Sequence, residues 1–167
     1  MKAVIFCVET NKKANTDWVY ILETINRYYG NSQLRVDRIY MDGKGNYKSK
    51  HVISEMSSWK EVYASDVLFI YCIDTDNYEM NADHKREFGE IQRYCKDNGY
   101  EFVWFCHDIE EVYWGHLIDD VNKKKESIRF MKTRQIEKVN YKNLCAKTIR
   151  KNCSNIMDVL DHYIDRK

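Results

Sequence analysis

Apolar and polar residues follow one another in blocks whose period switches between that of a strand and that of a helix. The run Ala3 to Val8, dense in Val, Ile and Phe, has the continuous apolar character of a strand covered on both faces. From Thr16 or Asp17, either of which can cap a helix, Trp18, Ile21, Leu22, Ile25 and Tyr28 or Tyr29 recur at helical spacing up to Gly30. Leu34 to Met41 reads as a more polar strand, closed by a turn signal at 42 to 46 (Asp-Gly-Lys-Gly-Asn). Val52, Ile53, Met56, Trp59 or Lys60, and Tyr63 predict a second helix, and Val67 to Ile73, the most hydrophobic stretch, a central strand. A third helix is expected over Ala82 to Asn98 with Gly99 as its stop, then a fourth strand over Phe102 to Cys106. Asp108 can cap a further helix carrying Ile109, Val112, Tyr113 and Leu117, and the rest, from about Asp119 to Lys167, reads as two or three helices.

Strands joined by single helical crossovers pair in parallel. The expected fold class is therefore α/β: three layers, with a mostly parallel four-stranded sheet flanked by helices and a helical C-terminal extension. The expected organisation is an α/β domain over residues 1–120 and a basic helical extension over 121–167 packed on the same domain. A chain of 167 residues suits one domain with a genuine core. The absence of proline and the presence of only six glycines exclude proline-rich linkers, collagen-like repeats and Gly/Ser tethers.

The N-terminal apolar run stops at Glu9, too short for a signal-peptide core or a membrane span. Six cysteines without a CxxC pair favour a reducing cytoplasm over a disulfide framework. Cys7, Cys72 and Cys106 lie inside apolar runs and read as small buried hydrophobes. The spacing of Cys145, Cys153 and His162 matches no familiar zinc pattern.

The net charge of +1 hides an asymmetry. Between Lys123 and Lys151, eleven basic residues stand against Glu126 and Glu137, so this segment carries +9 and the remainder −8. Lys123, Lys124, Lys125, Arg129, Lys132 and Arg134 open the tract. It reads either as solvated helix faces or as a surface for a polyanion such as DNA or RNA. Lys12 and Lys13, after the first strand, offer two more phosphate contacts or an ordinary exposed pair.

Open parallel sheets carry their functional groups beyond the carboxyl ends of the strands. Glu9 ends the first strand, and Asp74 and Asp76 end the third. Period-two alternation puts both aspartates on one side if the extended conformation persists. Three acids then converge, provided that those strands are neighbours. Such carboxylates repel one another unless a cation compensates, and an all-oxygen site suits Mg²⁺ or Mn²⁺. The alternative is that Asp74 and Asp76 cap the next helix or begin a turn.

An apolar strand ending in Glu9, followed 65 positions later by Asp74-Thr75-Asp76 at the end of Ile70-Tyr71-Cys72-Ile73, resembles the Toprim domain of topoisomerases, primases and related nucleases. Within that superfamily it looks most like small RloB-like Toprim proteins of bacterial restriction and abortive-infection loci. Thr16-Asp17 matches their Thr-acid pair, and Glu110 with His116 their later Glu-(x)5-His element. The match runs over about residues 3 to 120. It departs where Thr10, not glycine, follows Glu9, and in lacking proline before the later glutamate.

The resemblance implies a cytoplasmic Mg²⁺ or Mn²⁺ nuclease or nickase in antiviral defence, without a membrane and with an ATPase or another protein of its locus as a possible partner. Asp74 and Asp76 would bind the ion. Glu9 would complete its shell or pass a proton to the leaving sugar oxygen, and Glu110 would reach the same edge. A second expectation is a non-catalytic module binding nucleotide or nucleic acid. A third is a haloacid-dehalogenase-type phosphatase, whose Asp-x-Asp belongs on a first strand and here follows the third. An oligomer is compatible with all three.

Overall fold

The computed structural model describes residues 1–30 and 33–167. Strand β1 (Ala3–Val8) is buried throughout. Parallel pairing joins it to β2 (Arg35–Tyr40) on one side and to β3 (Val67–Asp74) on the other, and β3 pairs in parallel with β4 (Glu101–Cys106). Helices α1 (Thr16–Tyr28), α2 (Lys50–Tyr63) and α3 (Ala82–Asn98) form the three crossovers. The chain is thus α/β with a mostly parallel sheet flanked by helices.

Alternation along β1 divides the core. Val4, Phe6 and Val8 face a cluster with Tyr20 and Ile21 of α1, while Ala3, Ile5 and Cys7 face one with Val52 and Met56 of α2 and Phe88 and Ile91 of α3. The sheet is the middle of three layers. Helix ends obey local chemistry: Asn81 Oδ1 accepts the Asp83 and His84 amides at the start of α3, and Gly99 stops it at a φ of 69°.

The expected count of four strands needs correction, because the sheet has five, in the order β2-β1-β3-β4-β5. Strand β5 (Cys153–Ser154) pairs antiparallel with the end of β4. Two residues are too few to produce a periodic signal. Around it the C-terminal segment forms α5 (Asp120–Lys132), α6 (Tyr141–Leu144) and α7 (Ile156–Leu160). Phe130, Ile136, Leu144, Ile156, Met157 and Leu160 join the same core as β1 and α1. Helix α4 (Ile109–Trp114) is shorter than expected, since Gly115 terminates it at a φ of 76°; His116 and Leu117 lie beyond it and are exposed.

Candidate functional site

The carboxyl ends of β1, β3 and β4 meet at one rim, and most of the acids expected to carry chemistry gather there. Glu9 leaves β1 beside the end of β3, and its Oε1 accepts the Asp74 amide at 2.6 Å. The loop that follows is pinned by Asn11, whose Oδ1 accepts the Lys13 and Ala14 amides. Asn15 then takes a left-handed conformation before α1. The first turn of α1 delivers Asp17, buried, with Oδ2 accepting the Thr10 amide at 3.1 Å and Oδ1 the Thr16 hydroxyl at 3.3 Å.

After β4, Asp108 caps α4 by accepting the Glu111 amide at 2.7 Å, which places Glu110 in the first turn with only 1 % of its surface exposed. Glu9, Asp17, Asp108 and Glu110 all act electrostatically on Asp74.

Two lysines enter this cluster. Gly43, at a φ of 106°, donates its amide to the Glu9 carbonyl and turns the chain so that Lys44 reaches back. Its Nζ donates to the Asp74 carbonyl at 3.0 Å and pairs with Asp76. Lys123, from α5, lies 3.2 Å from both Asp108 and Glu110 and 3.5 Å from Asp120. Burial would lower both ammonium pKa values, but Glu9 and Asp76 for Lys44, and Glu110 and Asp108 for Lys123, hold them above the ordinary value.

The carboxyls shift the other way. Burial, reinforced by Asp17 and Asp76 against the pull of Lys44, pushes Glu9 up to about 8. Burial, only partly offset by Lys123, takes Glu110 to about 7. Burial together with Glu9 and Asp17 holds Asp74 well above the carboxylate range, and burial raises Asp17 as well. Glu110 Oε1 is buried with no hydrogen-bond partner among the described residues.

Asp76 is placed differently from its expected position beside Asp74. The strand ends at Asp74, and Asp76 adopts a φ of 48° while its amide donates to the His107 carbonyl. The alternation therefore breaks, and the Asp76 carboxylate meets Lys44. Ligand atoms of Glu9, Asp74 and Asp76 do not all lie within 4.8 Å of one another. Asp17 lies close enough to Glu9 and Asp74 to act electrostatically on both. Lys44 and Asp108 were legible only as a turn residue and a helix cap.

Of the expected cationic residues, Lys123 faces the acids. Lys124 donates to the Lys13 carbonyl at 3.0 Å, tying α5 to the loop after Glu9. Lys12, Lys13, Lys125 and Lys132 are exposed. Arg129 lies over the Trp114 ring at 4.5 Å and pairs with Glu126, and Arg134 pairs with Glu137. Thus the basic face of α5 begins at the acidic rim. His116 is exposed on the loop after α4, its Nδ1 3.0 Å from the Leu117 carbonyl oxygen. No helix among the described residues is long and apolar enough to cross a membrane. Comparison with protein-family models, with curated proteins and with solved structures finds no match.

Proposed function

We propose that this protein is a Toprim-like, metal-dependent phosphodiesterase, a nuclease or nickase acting on DNA or RNA, with its site at the acidic rim. The observation that carries this reading is the meeting at one rim of Glu9, Asp17, Asp74, Asp108 and Glu110, of which Asp17 and Glu110 are buried, with Lys44 and Lys123 as ammonium groups among them. Burial, with neighbouring carboxylates adding to it, holds the pKa values of Glu9, Asp17, Asp74 and Glu110 up, and a further cation would favour their charged forms. The donors are all oxygen, which suits Mg²⁺ or Mn²⁺, and the unpartnered Glu110 Oε1 is a spare acceptor.

Glu9 and Asp74, joined through the Asp74 amide, would hold the ion, with Asp17 and Asp76 beside them; the donor atoms of these acids do not gather within 4.8 Å, so binding would draw them together. When bound, the ion would supply positive charge to phosphoryl oxygens and polarise a water. Glu9, fixed through Oε1 by the Asp74 amide, keeps Oε2 for the ion or for a proton passed to the leaving sugar oxygen. Lys44 orients Asp76, and Lys123 fixes Glu110. The exposed lysines on α5 and at Lys12 and Lys13 would bind the phosphate backbone on the approach to the rim.

The order of the gathered acids, Glu9, Asp17, Asp74 and Glu110, supports the RloB-like variant, and with it a role in antiphage defence beside an ATPase or other partner. Supercoiled plasmid, single-stranded DNA and RNA incubated with Mg²⁺ or Mn²⁺ should be cut, with loss of activity in chelator and in Asp74→Asn. Cutting that survives both would overturn the proposal.

A second reading draws on Lys44 and Lys123 themselves, which already compensate part of the acidic charge. In it the rim is a structural network and the domain a non-catalytic nucleic-acid module. Salt-sensitive binding without cleavage, and no uptake of Mg²⁺ in calorimetry, would select it.

A further inference from the structure

A second constellation adjoins the acidic rim. Glu79, in the connection between β3 and α3, meets Cys106 and His107 at the end of β4. One donor atom from each falls within a sphere where all lie no more than 4.8 Å apart. His107 Nε2 is 3.4 Å from Glu79 Oε2, and Cys106 Sγ is 4.0 Å from Glu79 Oε1. A tetrahedral Zn²⁺ with bonds of about 2.0–2.3 Å sets its donors roughly 3.3–3.8 Å apart. Rotation of Glu79, whose side chain is 43 % exposed, can bring one of its oxygens closer to both partners, and a small shift of the half-exposed His107 ring would bring its nitrogen to Cys106.

The other side of the imidazole is already organised. His107 Nδ1 is 3.1 Å from Oε2 of Glu111, a buried carboxylate on α4. With the ring proton on Nδ1 and donated to Glu111, the Nε2 lone pair points toward Glu79. This carboxylate-histidine arrangement is how proteins orient a metal-binding imidazole. Lys151, 3.7 Å from the second Glu111 oxygen, helps to hold that carboxylate. Beside this group is an open cavity of about 490 Å³ whose wall includes Asp76, His84, His107 and Asp108, and His84 Nδ1 is buried without a hydrogen-bond partner among the described residues.

We propose that Glu79, Cys106 and His107 form a binding site for a thiophilic divalent cation of the Zn²⁺ class, with a fourth position open to this cavity for water. Sulfur and imidazole donors select such an ion over Mg²⁺, so the site is chemically distinct from the all-oxygen rim and does not rest on the reading given for it. Binding breaks the Cys106 S–H bond and forms a sulfur–metal bond, and the proton goes to solvent. The His107 ring binds as neutral imidazole.

The test is titration of the reduced full-length protein with Co²⁺ and then Zn²⁺. One equivalent of Co²⁺ should give tetrahedral ligand-field bands and a thiolate-to-cobalt charge-transfer band, both lost when Zn²⁺ displaces it. Cys106→Ser should abolish the charge-transfer band, and Cys153→Ser should retain it. The exposed Glu79→Gln change, which leaves the core intact, should weaken binding together with Glu111→Gln, the latter by about 10–100-fold. Absence of the charge-transfer band, its survival in Cys106→Ser, or displacement by Mg²⁺ as readily as by Zn²⁺ would overturn the site.

Discussion

Lys123 and Lys125 are two positions apart and have opposite surroundings, so they should respond differently to removal. Lys123 is held by Asp108 and Glu110, and Lys123→Ala leaves buried carboxylates uncompensated. A loss of about 3–5 kcal/mol in denaturant-measured stability is expected. Lys125→Ala, at an exposed site, should leave stability within about 0.5 kcal/mol and, if the chain binds nucleic acid as proposed, reduce the salt dependence of that binding by roughly 0.9 in the log-log slope on duplex DNA.

Glu9 and Glu110 predict a pH effect of definite sign. Their folded pKa values lie above the ordinary carboxyl value, so the native state binds more protons than the unfolded chain between those limits. Their contribution is fully present below about pH 4.5 and is lost as pH rises through the folded values of about 7 and 8. If the rim takes Mg²⁺, melting curves should show a larger rise in Tm with the ion at alkaline than at mildly acidic pH, because protonated carboxyls compete with it. An equal rise at both would place the ion elsewhere.

At the level of elements, the helix and strand positions were largely readable. Ala82 to Asn98 is a helix over the span its spacing predicts, ended by Gly99 as expected, because caps and periodicity are local signals. Asn81→Ala removes the acceptor for two amides and should cost about 1 kcal/mol by thermal or chemical denaturation. What escaped reading was non-local. Strand β5 exists because the end of β4 offers it a partner. Asp76 turns away because its amide finds the His107 carbonyl, and Lys44 enters because Gly43 bends back to Glu9. The convergence of Glu9 with Asp74 was legible because it follows from the pairing of β1 with β3.

For the molecule as a whole, residues 121–167 do more than carry charge. Phe130 and Leu144 are fully buried in the cluster shared with β1 and α1, and Ile156 and Leu160 complete that layer. A chain ending at residue 120 should therefore fail to fold cooperatively, showing dye-accessible apolar surface and no sharp thermal transition. A cooperative melt from that fragment would make the extension an accessory rather than part of the core.

The two margins of the sheet are finished differently. One is closed by the short antiparallel β5, while β2 forms the other margin and carries Arg35, Asp37 and Arg38 in its first four residues. An incoming strand would have to bring its backbone up against these charged side chains and their hydration. The three charges on β2 thus disfavour edge-to-edge pairing with another chain at the margin that no further strand covers.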